Sequence, residues 1–507
     1  MADYFKSIFL NLISSLFGEE YRLALYEKAE SVLWAGLILT LATILFCLVY
    51  HHFFWKEKET RQIFYYSMFL MFLVVLGKYV LSLSYKGYIA DRLIMYALPS
   101  PQILAPWWVL YTVFIVFLFF AFRKYFKKWK IWPYLAVLAF VFTLFSLGIN
   151  GMRSGWASVT DSLSRSYWEY TGYLPHIENT KSFLHDYVAT VSDPDLSYAR
   201  HSSTHPPGYI LFLYGLRQFF KFEYPGVAIV LALVSGLSVF PIYLFWREFM
   251  DENDLRSSLQ LFIFFPGLVL MSVSSLEAFF LFITWLSLGL CLKGWKSSRI
   301  GSAFGGLAAA FALFSNFLFL LVAPVFLYML WHIWQKHYKN NPTRSAYDFS
   351  LNLSLGLVFF LSFFAFLYVS TGYSILENFL AARGANSETV QSNFSSLGIY
   401  VVFFLMNILA FAIAMGIAHI SGFFQRFRDK NKTARHYHYI GYVFVLFLLA
   451  IGIFQGEVGR LWLFVFPLFL PVLSSMIKQE SETKSASLLC LLIFQSFAFQ
   501  ILFYTYW

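Results

Sequence analysis

The chain has 507 residues, of which 59% are hydrophobic, 22% are aromatic and 13% are charged, against about 25% charged residues in an average soluble domain. This composition excludes a soluble enzyme, a disordered protein and a fibrous repeat, and it predicts a polytopic helical membrane protein. The three cysteines, Cys47, Cys291 and Cys490, all lie in apolar runs, so we expect no disulfide framework and no cysteine-based zinc site.

The first apolar segment, residues 4–17, is short for a membrane span and is followed by no convincing cleavage site. We expect it to form an interfacial helix on the outer leaflet. If it did span, the N-terminus would lie inside and nothing downstream would change.

Runs of about 20 apolar residues are long enough to cross the hydrocarbon core of a membrane. Two long runs are divided at polar or small residues, one at 272–277 and the other at Ser315–Asn316. The sequence then predicts an all-α polytopic membrane protein of about fourteen transmembrane helices, whose extracytoplasmic loops carry short helices. The predicted spans are 31–53, 62–83, 103–122, 131–149, 225–246, 257–274, 276–294, 300–316, 317–335, 349–370, 399–421, 438–454, 457–476 and 486–505.

Lys and Arg concentrate in alternate connections between these spans. One set of short loops, which includes 123–130 and 422–437, carries 23 of them, whereas the opposite, longer loops carry about ten. Because cytoplasmic loops are enriched in Lys and Arg, we expect the basic set to be cytoplasmic and both termini to be outside. The net charge of +10 is then explained by topology, and no nucleic-acid partner is expected.

This topology divides the chain into five regions. Residues 1–149 hold the interfacial helix and the first four spans, 150–224 form a first large outer loop, and 225–370 form a central bundle. A second outer loop covers 371–398, and the last spans cover 399–507. Long loops often carry function, although either one could simply cover the bundle.

The first outer loop is rich in groups that do chemistry. Glu169 stands among Trp168, Tyr170 and other aromatic residues, and Asp161 precedes it. Aromatic faces beside a carboxylate suit the apolar face and polar rim of a sugar ring, and they equally suit a membrane interface. His201 and His205 follow, before a short amphipathic stretch at 207–222 that we expect to form a re-entrant or juxtamembrane helix.

Three further polar residues fall on the same predicted face as the two outer loops. Glu277 stands at the turn between the sixth and seventh spans, and Glu457 and Arg460 stand at the mouth of the thirteenth. Polar residues gathered on one side of an otherwise apolar bundle indicate a site that opens to that side.

Three short motifs resemble those of the GT-C-type membrane glycosyltransferases. THPPG at 204–208 looks like the family's pattern of a basic residue or His followed by Pro-Pro near the end of its first outer loop. GEVGRLW at 456–462 is similar to an acidic-then-Arg segment that opens a late helix in bacterial members, and the segment 264–280 is similar to the family's proline-bearing span. The resemblance covers most of the chain at the level of architecture. The chain departs from the pattern in having no acid directly after Gly148 and four spans before the loop.

The resemblance implies an inverting glycosyltransferase of the cytoplasmic membrane with an extracytoplasmic active site. Its donor would be a polyprenyl-phosphate-linked sugar, and its acceptor a hydroxyl of a glycan, a lipid or a protein. Glu169 would be the general base, with Asp161 in reserve and other acids such as Asp186 or Glu277 left open. Arg460 is the first candidate to meet the lipid phosphate and His205 the second. The expected substrate-binding residues are Arg460, His205, Glu457, Glu277, His201, Trp168 and Tyr170.

We expect no cofactor. Asp193 and Asp195 have the spacing of a metal-binding pair, but the proline between them indicates a turn, so a divalent metal is not favoured.

Three other classes remain open from the sequence. A lipid or solute transporter would be expected to show internal repeats and polar residues at the midplane of the membrane. A glycan ligase or polymerase of the related membrane type usually places its large loop late in the chain, and a non-enzymatic scaffold needs no site.

Overall fold

The computed structural model describes residues 29–84, 97–164, 170–193, 200–273, 275–338, 342–389, 392–420, 436–477 and 482–505, together with Ser7 and Asn11. The predicted interfacial segment 4–17 therefore lies outside the described residues apart from those two positions. Within the described part, ten segments are helical, long and apolar enough to cross a membrane. This confirms a helical, multi-pass membrane protein.

The ten segments match ten of the fourteen predicted spans. They are Ala29–Phe54, Lys58–Ser84, Pro106–Phe126, Ile131–Gly151, Tyr224–Leu237 continued by Val239–Trp246, Glu277–Ser297, Phe317–Val322 continued by Ala323–Ile333 and Trp334–Tyr338, Pro342–Thr371, Leu397–Met415, and Glu482–Leu502.

The count of fourteen is not confirmed, because the other four predicted spans are shorter or broken in the described residues. Two are broken into shorter pieces. Segment 257–274 breaks before Pro266, because the proline lacks an N–H and keeps Phe265 out of the helical region. Segment 457–476 breaks at Trp462, and the 3-10 helix that follows contains Pro467. The other two are unbroken but short. Segment 300–316 is the 17-residue helix Arg299–Ser315, which ends before an extended Asn316, and 438–454 is the 11-residue helix Ile440–Ala450, which ends before Gly452 at φ 63°. The helical pieces are Glu252–Phe262, Pro266–Met271, Arg299–Ser315, Ile440–Ala450, Val458–Leu461, Leu463–Phe469 and Leu470–Ile477.

The described part of the first predicted outer loop, 150–224, contains short helices, as predicted. They are Trp156–Val159, Asp161–Ser164, Tyr170–His176, Thr180–Ser192, Arg200–Thr204 and Gly208–Gln218. The second outer region holds Ile375–Thr389 and Asn393–Ser395, and His436–His438 precedes the helix that begins at Ile440.

The helices differ in how deeply they are packed. Glu277–Ser297 and Glu482–Leu502 form the centre, and 78% of the residues in the most apolar stretch of each helix are buried. Ala29–Phe54 and Pro342–Thr371 lie at the periphery, where only 6% is buried. Glu277 therefore begins one of the two central helices.

A two-stranded antiparallel sheet closes one end of the bundle, which the sequence did not predict. Strand β1 is Ala97–Pro99 and strand β2 is Phe503–Thr505, so the last helix ends at 502, earlier than the predicted limit of 505. Arg153 fastens the sheet by donating from Nη1 to the carbonyl oxygens of Ser100 and Phe503, both at 2.9 Å.

Five connections of the predicted cytoplasmic set lie beside one another in the structure, whereas the predicted loop 422–437 lies outside the described residues except for 436 and 437. Lysines and arginines link them through Lys484–Glu59 at 3.1 Å, Lys127–Glu482 at 3.2 Å, Lys296–Glu248 at 2.9 Å, and a hydrogen bond of 2.8 Å from Arg256 to the carbonyl oxygen of Trp129. These loops therefore share one end of the bundle.

The two predicted outer loops also meet. The rings of Tyr187 and Tyr373 lie 6.4 Å apart, and a Cβ atom placed on Gly372 would come within 3.0 Å of the His185 ring. Helix Thr180–Ser192 thus packs against the start of the second outer region, so both loops lie at the same end.

This arrangement gives a topology prediction. A cysteine introduced by Ser192→Cys, in a chain whose three native cysteines are replaced by alanine, should react with a membrane-impermeant maleimide on intact cells. A cysteine introduced by Lys128→Cys should react only after permeabilisation, since it belongs to the basic set. Both positions are exposed. The opposite labelling pattern would invert the orientation.

Candidate functional site

Arg460 is held between two carboxylates. Its Nη1 lies 3.2 Å from Glu277 Oε1, and its Nη2 donates to Glu457 Oε2 at 2.9 Å. The exposed fractions of these side chains are 12% for Arg460, 4% for Glu277 and 23% for Glu457. The contact with Glu457 has the length of a charge-assisted hydrogen bond, and the contact with Glu277 is a longer ion pair, both in a site largely removed from water.

Glu277 is the deeper of the two carboxylates and is engaged on both oxygens. Its Oε1 faces Arg460, while the hydroxyl of Ser275 donates to its Oε2. The backbone N–H of Glu277 donates back to Ser275 Oγ at 3.3 Å. This arrangement suits an anchor for Arg460 better than a proton acceptor.

His205 and two tyrosines adjoin this ion pair. The ring of His205 lies 5.7 Å from that of Tyr170 and 6.3 Å from that of Tyr209, and His205 interacts electrostatically with Glu277. Asn316 Nδ2 donates to the Tyr209 hydroxyl at 3.0 Å. Burial raises the pKa of Tyr209 well above its usual value, and the charge of Glu277 adds to the shift, so this phenol stays protonated.

The local sequence explains how His205 reaches this position. Pro207 stands at the start of helix Gly208–Gln218, where a proline costs no backbone hydrogen bond, and His205 directly precedes the turn into it. The carbonyl oxygen of His205 accepts a hydrogen bond of 3.0 Å from the Tyr187 hydroxyl. The predicted juxtamembrane helix at 207–222 is thus present, although it ends at 218.

A cavity of about 70 Å³, partly open to its surroundings, lies against Arg460. Its charged lining consists of Arg460, Glu457 and Lys78, and its apolar wall includes Leu270, Met271, Ile413 and Phe499. Gly267 also lines it, and a Cβ atom there would come within 2.7 Å of Ala414 Cβ, so the glycine allows two walls to approach closely.

Lys78 is a residue that the sequence reasoning missed. It lies in helix Lys58–Ser84, is only 4% exposed, and has its Nζ 5.3 Å from the centre of the Phe503 ring. A signal was available, because a charged residue inside a transmembrane segment is by itself a reason to suspect a functional site. Tyr209 was also missed, and its sequence context offers no comparable signal.

The structure brings together five of the nine predicted site residues: Tyr170, His205, Glu277, Glu457 and Arg460. Glu169 and Trp168 lie outside the described residues. So does the side chain of His201, whose backbone belongs to the helical turn Arg200–Thr204.

Asp161 has partners of a different kind. It accepts a hydrogen bond from the hydroxyl of Tyr504 in β2. Burial lowers the pKa of Arg153 to about 10, and the charge of Asp161 opposes that shift. Asp161 therefore takes part in the contacts that join the first outer loop to the sheet. Asp186, another acid left open by the sequence, lies on the exposed surface, 2.8 Å from the His185 ring.

Among the residues that the structure describes, no group of three or more His, Cys, Asp or Glu side chains is arranged to hold a metal ion. Asp195, the second acid of the predicted pair, lies outside that part.

Comparison with known proteins identifies no family: no protein-family model matches this chain, and a search of curated proteins finds no match either.

Proposed function

We propose that the protein is a membrane glycosyltransferase that moves a sugar from a polyprenyl-phosphate donor to a hydroxyl acceptor on the extracytoplasmic face. The observation that carries the proposal is the cavity beside Arg460, where two cations from distant parts of the chain share one largely apolar space. This combination suits an amphiphile with an anionic head and a hydrocarbon tail.

The cationic part of the cavity suits a phosphate group. Arg460 presents a planar fork of N–H donors, which matches phosphate oxygens, and Lys78 adds a second positive charge. Glu277 holds the guanidinium from the buried side. Glu457 is the more exposed partner, so it is the carboxylate that an incoming phosphate would displace.

The apolar part of the cavity suits the lipid. Leu270 and Met271 come from the proline-bearing segment, Ile413 from helix Leu397–Met415 and Phe499 from the last helix. A prenyl chain lying against these side chains would leave its phosphate at the height of Arg460.

The proposed reaction is a single inverting displacement. The acceptor oxygen attacks the anomeric carbon, the bond from that carbon to the phosphate oxygen breaks, and the lipid phosphate leaves with the electron pair. Arg460 and Lys78 would stabilise the charge that develops on the phosphate, whereas His205, the second candidate from the sequence, does not line the cavity. A carboxylate takes the proton of the acceptor hydroxyl, and Glu169 remains the predicted base, with Asp161 in reserve.

The acceptor side is proposed to lie towards Tyr170, His205 and Tyr209. Their rings form a contiguous aromatic wall next to Glu277. Such a wall can pack against the apolar face of a sugar while its hydroxyl and imidazole groups reach the polar rim. Tyr170 and His205 belong to the same outer loop as Glu169.

A lipid transporter is the second candidate, and the position of Lys78 is the observation that favours it. A buried lysine within a predicted span also suits a path by which a charged head group crosses the membrane. The two functions differ in outcome, because a transporter moves the intact sugar-lipid whereas a transferase cleaves it.

The test uses purified protein in liposomes that contain a polyprenyl-phosphate sugar labelled in the sugar. A transferase should release polyprenyl phosphate and move the label to an added glycan, lipid or peptide acceptor with inversion at the anomeric carbon. Movement of the intact donor between leaflets without cleavage would favour the transporter. Binding of polyprenyl monophosphate no tighter than that of neutral polyprenol would contradict both.

Lys78→Met provides a prediction for this site. Methionine keeps much of the length of lysine but removes its charge, so the affinity for polyprenyl monophosphate should fall about tenfold or more, as for loss of one charged hydrogen bond. The matched control is Lys484→Met, since Lys484 is equally buried at the opposite end, where it pairs with Glu59. Equal affinity in Lys78→Met and the wild type would remove Lys78 from the site.

A further inference from the structure

The segment that leads to Arg460, residues 451–457, has little regular structure of its own. It follows helix Ile440–Ala450 and precedes the four-residue helix Val458–Leu461. Gly452 and Gly456 have φ values of 63° and 83°, which place two sharp bends just before Glu457. A segment of this kind needs contacts from elsewhere to hold one conformation.

Asn407, on helix Leu397–Met415, supplies two such contacts. Its Nδ2 donates to the carbonyl oxygen of Phe454 at 2.8 Å, and its Oδ1 accepts from the backbone N–H of Gly456 at 2.8 Å. One side-chain amide therefore satisfies both a donor and an acceptor of the bent backbone. Asn407 is buried, so water does not replace these bonds easily.

Asn393, in the second outer region, makes a second set of contacts with the same segment. Its Nδ2 donates to the same carbonyl oxygen of Phe454 at 2.9 Å, and its Oδ1 accepts from Gln455 Nε2 at 2.6 Å. Asn393 is also buried. Phe454 thus receives two hydrogen bonds on one oxygen, from two different parts of the chain.

The two asparagines lie close in the structure to residues that line the cavity. Asn407 lies about one helical turn before Ala410, which lines the cavity together with Ile413 on the same helix. Gly456 is followed directly by Glu457, and the N–H of Arg460 donates to the carbonyl oxygen of Glu457 at 3.0 Å. Movement of the turn at 454–456 would therefore displace the guanidinium relative to the apolar wall.

We propose that Asn393 and Asn407 are positioning residues, which hold the turn 454–456 and thereby fix Arg460 at the head-group end of the cavity. The inference rests on the proposed role of Arg460 in meeting the lipid phosphate. It assigns the second outer region a function in the site, through Asn393. Precise placement matters because an error of about 1 Å in a positioned group can lower a rate by about 100-fold.

The first test does not depend on the proposed reaction. Hydrogen–deuterium exchange of peptides covering 452–462 is measured for protein in lipid nanodiscs. Asn407→Ala should speed exchange in these peptides about tenfold, because it leaves a buried carbonyl with one bond fewer and the Gly456 N–H without its acceptor. Asn393→Ala should have a smaller effect, since the Phe454 oxygen keeps its bond from Asn407.

Gln260→Ala is the control for loss of a buried side-chain amide. Gln260 lies at the opposite end of the bundle, where its Oε1 accepts from Arg123 Nε at 3.0 Å. This variant should leave exchange at 452–462 unchanged. If Asn407→Ala also leaves that exchange unchanged, the two asparagines do not hold the turn and the proposal is overturned.

The second test separates positioning from general destabilisation. Asn407→Ala should weaken binding of polyprenyl monophosphate about tenfold in the wild-type chain and cause no further loss in an Arg460→Ala chain, since neighbours that act together are not additive. An equal loss in both chains would show that Asn407 does not act through Arg460. If the wild-type chain binds no polyprenyl monophosphate, the proposed function is overturned, and so is the claim that the asparagines position Arg460 for the lipid phosphate. The exchange test would still decide whether the asparagines hold the turn 454–456.

Discussion

Arg460→Ala is expected to reduce use of the polyprenyl-phosphate donor by about 2–5 kcal/mol, the range for truncating one partner of a buried charge pair. The Arg460 guanidinium lines the cavity and also contacts both Glu277 and Glu457. Removing it should take away the main stabilisation of the leaving phosphate. The measurement is kcat/KM for transfer, together with the affinity for polyprenyl monophosphate.

This substitution also leaves the buried carboxylate of Glu277 without its cation, which by itself can destabilise the protein. The double variant Arg460→Ala with Glu277→Gln removes both charges and should recover stability without recovering donor use. Arg123→Ala removes a buried arginine at the opposite end, beside Gln260 and Ser485, and controls for the loss of a buried cation. Full activity and donor affinity in Arg460→Ala would make this residue a structural anchor only.

Glu169→Gln is expected to lower turnover by about 100-fold or more, at the lower end of typical general-base effects, while leaving lipid binding largely intact. Glutamine keeps the shape of the side chain but removes the basic lone pair. The sequence places Glu169 among Tyr167, Trp168 and Tyr170, and partial desolvation by aromatic rings raises the pKa of a carboxyl group towards the working pH. Single-turnover rates with the donor pre-bound measure the chemical step.

Asp161 is the comparison for this prediction. Because it accepts a hydrogen bond from Tyr504, we expect Asp161→Asn and Tyr504→Phe to lower thermal stability by similar amounts and to leave the single-turnover rate near wild type. Near wild-type turnover in Glu169→Gln, with loss of turnover in Asp161→Asn but not in Tyr504→Phe, would transfer the role of base to Asp161.

The membrane class and ten of the spans followed from the sequence because a bilayer imposes a simple rule. A segment in hydrocarbon must satisfy its own backbone hydrogen bonds, so a helix of about 20 apolar residues is visible in the composition alone. The rule failed where packing allowed the backbone to bend, as before Pro266 and at Trp462. Buried neighbours can tolerate such breaks, and a hydropathy pattern does not show them.

The sequence by itself also determined which polar residues fall at the ends of spans, and Glu277, Glu457 and Arg460 were chosen on that basis. Only the tertiary structure decided that these three form one ion-pair group, that Tyr170 and His205 adjoin it, and that Asp161 belongs to the contacts of the sheet. Lys78 comes near Arg460, and Asn393 and Asn407 come near the turn before it, through helix packing across long stretches of chain. Local periodicity and charge describe how each segment meets the membrane, whereas the partner of a buried polar group depends on which helices pack together.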